Sequence, residues 1–557
     1  MKKILALTLA LLLCLGAFSG CQEVYDVSGD NIKTISYEDA VKEMNALLTN
    51  VKVSTVEAPI DIDALNDQSA AAALADISTF PITEQGYGQI NIEVAAATEF
   101  SAEAPDDWMN VVARNFNREG FTVDGQSVSV SVRKITSGEV VTYMNDGGYR
   151  PDLYVPSNAA WGKMLSETFN VKTLSERIAG NTAGILMKRN TYDTFIEKYK
   201  ELNVGTAMEA TLAGDISFAY TNPYTSSTGL NILTAMLAHF DPANPVSAQA
   251  TEKLVAYQRQ SPPVAYTTAV LRNAAAKGVI DAMVMEEQSY VNTPELRDYV
   301  YVPQGIRHDH PVYTFDYVSQ EKQEAARLFV DYCLREENQK LATEKGFNRH
   351  DDYKGTDSGL DGAGYLAAQR IWKQNKNGGQ PVIAVFVADV SGSMRGTALR
   401  SLQESLVAAS AFIGSENYVG LISYSDNVTV NLPIGEFDAN QRAKFSGAVK
   451  ALSANGSTAT YDAVMQATKM LLDKQAEVPN AKLMMFVLSD GEQNVGVKYE
   501  RIPSIVKALA IPVYTIGYNM SSTEELKELA GINEAALINA SSEDVVNQLR
   551  NLFNTQL

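Results

Sequence analysis

The chain has 557 residues, 45% of them hydrophobic, with 36 glycines and 18 prolines. At about 150 residues per domain, this length excludes a single core and calls for roughly three or four folding units. Its 66 acidic against 46 basic residues give a formal charge of -20, which repels a phosphate backbone and argues against nucleic acid as a partner.

Met1-Lys2-Lys3 leads into an apolar stretch, Ile4 to Ala17, followed by Phe18-Ser19-Gly20-Cys21. A basic start, a short apolar core and small residues before a cut describe an export signal, and the run is shorter than the ~20 residues a spanning helix needs. The placement of Cys21 after Ser19-Gly20 resembles a bacterial lipoprotein box. That resemblance implies removal of residues 1–20, a lipid on Cys21, and anchoring to the outer face of the cell membrane. Cys14 would leave with the signal, so with Cys21 acylated, Cys333 has no partner for an intramolecular disulfide.

Residues 21–88 are acidic and poorly periodic, with a helical patch around Tyr37 to Leu48 and an alanine-rich stretch, Ser69 to Ala75. The composition suits a tether, or an extension packed on the next domain. From Gln89 the pattern changes to strands alternating with helices, the signature of an α/β fold. A strand runs into Ala97-Thr98-Glu99, and a helix is expected from Asp107 to Arg118, where Trp108, Val111, Val112 and Phe116 recur at helical spacing. The alternating SVSVSVRKI ends at Thr136-Ser137-Gly138, and a short strand follows around Asp152 to Val155. Gly180 to Lys188 reads as a strand between lobes. Thr225, Ser226, Ser227 and Thr228 stand before an apolar helix from Leu230, where hydroxyls and free N–H groups serve as an ordinary cap or hold an anion or polar ligand head. A buried strand, GVIDAMVM, finishes at Glu286-Glu287-Gln288, and a polar turn follows at Gly305 to Pro311. His308 and His310 are too few and too closely spaced for a metal site.

The segments ending in Thr98-Glu99, Ser137-Gly138, Tyr149 to Asp152, Asn222 to Gly229 and His308 to Pro311 resemble, in their order, a bacterial extracellular solute-binding domain of the two-lobed type with crossing strands. The resemblance covers Gln89 to about Asn348, giving a domain over 89–350. It implies a cleft between lobes onto which Thr98, Ser137, Ser226, Ser227 and Gln288 map; what the cleft binds is not implied, a small solute being a candidate partner. Residues 351–380 are rich in glycine and charge with one helical patch around Tyr365 to Lys376, which fits a linker, either a domain boundary or a helix leading into the next sheet.

The final unit, 381–557, opens on PVIAVFVADVSGSMRG. Its apolar run, Val382 to Ala388, suits a strand buried on both faces, and Asp389, Ser391 and Ser393 follow at every second position. Loops at the carboxyl ends of such strands are where open α/β sheets place ligands. A second apolar strand ends in Ser489-Asp490-Gly491, and a helix stops near Gly456-Ser457-Thr458. A hard cation such as Mg²⁺, with Mn²⁺ or Ca²⁺ as alternatives, takes about six oxygens. Asp389 and Asp490 would balance its charge, while Ser391, Ser393 and Thr458 supply neutral oxygens. The absence of cysteine and histidine from these loops argues against zinc.

This DxSxS spacing, with Thr458 and Asp490, resembles the metal-ion-dependent adhesion site of von Willebrand factor A domains, and the match spans Pro381 to about Leu557. The resemblance implies a doubly wound, Rossmann-like fold. It also implies a cation held by Asp389, Ser391 and Ser393, with Thr458 bound directly or through water and Asp490 acting mainly from behind. An open coordination position would take a carboxylate from a protein or envelope ligand. No base and nucleophile accompany the ion, so an enzyme is not expected; Glu492 is expected to be a rim charge that tunes partner choice. The chain therefore reads as α/β, a two-lobed solute-binding-like domain followed by a von Willebrand factor A domain. The expected function is a surface lipoprotein binding a partner through the cation, the alternative being the substrate-binding receptor of an ABC transporter.

Overall fold

The computed structural model describes residues 32–66, 74, 76–259, 264–265, 271, 280–491, 493–518, 524–532, 537–540, 549, 552–553 and 555–557. The export signal, Cys21, Glu492 and nearly all of the alanine-rich stretch lie outside these residues. Among the described residues, no helix is long and apolar enough to cross a membrane.

The chain begins with α1 (Tyr37–Leu48), β1 (Val53–Thr55) and α2 (Ile62–Asn66) and then builds a first lobe. That lobe contains β2 (Ile82–Glu84), β3 (Ile90–Ala96), α3 (Trp108–Glu119), β4 (Thr122–Val123), β5 (Gln126–Lys134), α4 (Ser137–Asp146), β6 (Leu153–Val155), α5 (Ala160–Leu165) and β7 (Val171–Ser175). Its sheet runs β2-β5-β3-β6-β13-β7, where β13 (Val312–Phe315) arrives much later in the chain. On α3, Trp108, Met109, Val112, Ala113 and Phe116 are fully buried at helical spacing, which fixes that helix against the sheet.

The second lobe holds β8 (Thr182–Lys188), β9 (Phe218–Thr221), α6 (Ser227–Phe240), β10 (Val264–Ala265), β11 (Ala282–Glu286) and β12 (Tyr299–Arg307), in sheet order β10-β9-β11-β8-β12. The chain crosses between lobes twice, through residues 176–181 and 308–311. The crossings bond to each other: His308 N–H donates to Asn181 O at 3.0 Å, and Ile178 N–H lies 3.3 Å from Asp309 O. The second crossing returns the chain to the first lobe at β13, and α7 (Gln320–Cys333) then packs there, with Ala325, Ala326, Phe329, Val330 and Cys333 inward.

Residues 351–380 are not a bare linker. They carry α8 (Gly362–Asn375), whose Tyr365, Ala368 and Trp372 are buried in the same apolar cluster as both lobes. Beyond it come β14 (Val382–Asp389), α9 (Thr397–Ser410), β15 (Tyr418–Tyr424), β16 (Val428–Glu436), α10 (Ala439–Lys450), α11 (Thr460–Glu477), β17 (Lys482–Ser489), α12 (Pro503–Leu509), β18 (Val513–Tyr518) and β19 (Leu537–Ala540).

Every residue of β14 is buried, and its period of two divides them between two cores. Ala384, Phe386 and Ala388 pack with α9 and α10 on one face. Ile383, Val385 and Val387 pack with α11 and α12 on the other, which makes the sheet doubly wound. That second face is completed by α1, through Ala40, Met44 and Leu47. β1 then joins β16 in parallel, with Val53, Ser54 and Thr55 opposite Val428, Thr429 and Val430, so the sheet order is β1-β16-β15-β14-β17-β18-β19. Asp61 accepts hydrogen bonds from Ser446 at 2.5 Å and Lys450 at 2.6 Å on α10. Of the segment expected to be a tether or an extension packed on the next domain, residues 32–66 belong instead to the last domain, while residues 76–88 do pack on the next domain, where β2 pairs with β5 and Arg133 holds Phe80 O. An apolar sheet face needs a cover, and α1 supplies one. The two-lobed domain is thus inserted within the C-terminal domain.

Candidate functional site

Strands β5 and β9 lead into helices α4 and α6, whose starts face each other across the two lobes. Ser227 Oγ, on α6, donates to Ser137 Oγ, on α4, at 3.1 Å. Ser137 Oγ also accepts from Ser157 N–H at 3.2 Å, and Trp161 Nε1–H donates to Ser227 Oγ at 2.8 Å. Gly138 N–H lies 3.3 Å from Thr225 O, an approach open only to glycine, since a Cβ there would stand 1.9 Å from Tyr224 O. Of the five cleft residues expected from sequence, Ser137 and Ser227 therefore meet. Gln288 also crosses between lobes, donating to Asp106 Oδ1 at 2.6 Å. Ser226 instead caps α6, accepting from Gly229 N–H at 3.2 Å and bonding Thr221 at 2.7 Å. Thr98 begins a single helical turn at the end of β3, on the first lobe alone. Ser157, Asn158 and Trp161 escaped the sequence reading, although β6 runs into Ser157-Asn158 with the same strand-to-helix pattern as the others.

Four ionisable side chains lie buried where the crossings meet the cleft. His310 Nε2 is 3.1 Å from Glu99 Oε1 and its Nδ1 is 2.8 Å from Ala179 O. Burial opposes charge on both partners. Their mutual hydrogen bond and attraction outweigh it, so the Glu99 carboxyl sits below its usual range and the His310 imidazole above its own. His308 behaves oppositely. Burial pulls it down to about 3, and its Nδ1 is 2.8 Å from Glu286 Oε1. Asn158 Nδ2, at 3.0 Å, and Asn231 Nδ2, at 3.4 Å, both point at His308 Nε2, which assigns the Nδ1–H tautomer. Burial, and then the charge of Glu99, push Glu286 well above the usual carboxylate range. One ion pair and one neutral pair leave these four groups without net charge. Among the described residues, the buried amide nitrogens of Asn181 and Asn222 have no hydrogen-bond partner and remain as donors.

In the C-terminal domain, three loops meet at the carboxyl ends of the adjacent parallel strands β14 and β17. Ser391 N–H donates to Asp389 Oδ1 at 2.8 Å, the Ser391 and Ser393 hydroxyls are 3.0 Å apart, and Ser393 Oγ donates to Asp490 Oδ1 at 2.8 Å. Ser489 Oγ and Tyr424 Oη reach Asp389 Oδ2 at 2.6 and 3.3 Å. The third loop is tied in by Gly392 N–H to Gly456 O at 2.9 Å. Thr458 is fixed to the loop after Asp490, since its N–H donates to Asn494 Oδ1 at 2.9 Å. Burial raises both the Asp389 and Asp490 carboxyls above their ordinary range; Asp490 adds to the shift at Asp389, while bonds from Ser489 and Ser391 oppose it. Two carboxylates gathered beside serine hydroxyls offer an all-oxygen set of side chains that suits a hard divalent cation. Among the described residues no three His, Cys, Asp or Glu side chains gather in such a place, so this set depends on its serines and threonine.

Residues 97–348 match the family of bacterial extracellular solute-binding proteins, and residues 384–554 match the von Willebrand factor type A domain. Among curated proteins, inter-alpha-trypsin inhibitor heavy chain H3 of Bos taurus is 27% identical over 180 residues, 30% of this chain and 20% of that protein. Heavy chain H4 of Sus scrofa is 29% identical over 119 residues, 21% of this chain and 13% of that protein. The chain thus spans a fifth or less of the length of these relatives. Among solved structures, iron-bound HitA from Pseudomonas aeruginosa has a TM-score of 0.38 at 15% identity, covering 52% of this chain and 99% of that one. A von Willebrand factor type A protein from Catenulispora acidiphila has a TM-score of 0.29 at 19% identity, covering 31% and 42%. Both matched families are binding domains without catalytic function, in keeping with a non-enzymatic protein, and the first is extracellular. The chain is a bacterial extracellular solute-binding-like domain fused to a C-terminal von Willebrand factor type A domain.

Proposed function

We propose that the protein is an extracytoplasmic receptor whose two lobes close on a small polar solute and present it to a membrane permease of the ABC class. The observation that carries this reading is the pair of helix starts at Ser137 and Ser227, which bring hydroxyls and N–H groups together from opposite lobes. Buried Glu139 lies in the first turn of α4, whereas the first turn of α6 carries no acidic residue, so the α6 dipole is the one left to favour an anion or a polar head. A solute that binds only the folded chain must raise its melting temperature. Sulfate, phosphate, molybdate and neutral polar solutes are therefore to be screened against the wild type and a Ser137→Ala, Ser227→Ala double variant. A hit that stabilises the double variant as strongly as the wild type removes the cleft assignment, and a native mass spectrum without any bound small molecule across the screen removes the receptor.

A second reading is favoured by the assembly of Asp389, Ser391, Ser393 and Asp490 in one hydrogen-bonded chain, with the Thr458 loop tied beside it. Here the C-terminal domain holds Mg²⁺, with Mn²⁺ or Ca²⁺ as alternatives, and binds a protein or envelope ligand through its carboxylate. Lipid on Cys21 would keep this site at the outer face of the membrane, and the mass of the mature N-terminus tests that anchor. Mg²⁺ is expected to raise the melting temperature of the wild type and leave Asp389→Ala unmoved; equal responses to Mg²⁺ and EDTA in both proteins would sink the cation.

A further inference from the structure

Helix α8 touches three bodies at once. Its first turn lies on α5 of the first lobe so closely that a Cβ on Gly362 would stand 2.2 Å from Lys163 O. Lys163 reaches back over this contact, its Nζ 3.3 Å from Leu360 O, 3.4 Å from Asp357 and 5.6 Å from the Tyr365 ring centre. The next turns hold the second lobe. Gln369 Nε2 donates to Pro223 O at 2.8 Å, and Trp372 Nε1–H donates to Tyr220 Oη at 2.9 Å. The last turn reaches the C-terminal domain, where Lys373 Nζ donates to Phe412 O at 2.9 Å and Lys376 Nζ to Thr555 O at 2.8 Å.

A cleft of this kind opens when one lobe swings about the two crossings. With α8 fixed to the second lobe and to the C-terminal domain, the first lobe can swing only if α5 leaves α8. The same α5 carries Trp161, whose indole holds Ser227 across the cleft at 2.8 Å. Parting of the lobes and release of α8 are therefore one event. We propose that α8 is a strap that holds the cleft shut and makes its opening depend on a helix anchored in the C-terminal domain.

Hydrogen exchange on the full chain tests this without a known solute. Lys163→Ala removes the reach-over contacts from a side chain that is 40% exposed, and Gly362→Ala wedges the strap off α5. Amides of residues 137–146, 157–165 and 223–230 are expected to exchange roughly fivefold faster in either variant, as losing one or two modest contacts requires. Those of β14 are expected to keep their wild-type rates. Unchanged exchange at the cleft in both variants overturns the strap, and so does a uniform acceleration that includes β14, which would mean general loosening. Should Gly362→Ala lose its far-ultraviolet dichroism, Lys163→Ala decides alone.

Discussion

Substituting Gly138 by alanine tests whether the lobes meet as described. The added Cβ would stand 1.9 Å from Tyr224 O, where ordinary contact begins at about 3.4 Å, so the lobes must part there by about 1.5 Å. That movement breaks Gly138 N–H to Thr225 O and Ser227 to Ser137, and loosens Trp161 on Ser227. Three bonds at about 1 kcal/mol each cost about 3 kcal/mol, or roughly a 150-fold shift toward the open arrangement. For a domain of this size that corresponds to a fall of about 6–12 °C in melting temperature. Small-angle scattering is expected to show a larger radius of gyration for Gly138→Ala, and calorimetry the lower transition. Identical scattering curves and transitions would refute the direct contact of the two helix starts.

Glu99→Gln isolates the buried ion pair. The lowered Glu99 contributes stability above its ordinary value of 4.5, lost as pH falls through its folded value; the raised His310 contributes below 6.5, lost as pH rises through its folded value. The melting gap between wild type and Glu99→Gln is therefore expected to be widest between about pH 4.5 and 6.5 and to shrink toward pH 9; a gap that grows with pH contradicts the pairing. Met44→Ala opens a cavity between α1 and the C-terminal sheet and is expected to cost about 2–4 kcal/mol, read as a lower urea midpoint of that domain. If only the two-lobed domain responds, the docking of α1 is wrong. Lys376→Met replaces an ammonium whose burial pulls it well below the ordinary lysine range. The lowered lysine costs the wild type stability below the ordinary value of 10.5, and that cost shrinks as pH rises, while the bond to Thr555 O is lost at every pH; the stability of Lys376→Met relative to wild type is therefore expected to be higher at pH 6 than at pH 9, and denaturant midpoints at the two pH values check the sign.

Local patterning made the strands legible. An unbroken apolar run before Asp389 has few other places to go than a sheet covered on both faces, and it is buried throughout. The same pattern put Ser137 and Ser227 at helix starts, but it could not separate Ser226 from Ser227, where one residue turns a cleft hydroxyl into a cap. The helical patch around Tyr365 to Lys376 was readable as a helix, while its role against two lobes was not, because the residues it meets, Pro223 and Lys163, lie far off in sequence. Least legible was β1. Three residues that are all exposed carry no periodicity, and their only ordering signal is a partner 375 residues away. Cleft groups such as Glu286 and His308 were visible as letters, but their pairing depends on how the crossings fold.

Because β1 and α1 come from the far end of the chain, a recombinant fragment cut at Pro381 would begin with a wound. Its β16 edge would lose its cover of main-chain hydrogen bonds, and the face formed by Ile383, Val385 and Val387 would lose Met44 and Leu47. Bare edges and oily faces are what drive chains to stick to one another. A well-behaved small version of the C-terminal domain should instead splice residues 32–66 ahead of β14 through a flexible bridge and leave the two-lobed insert out altogether.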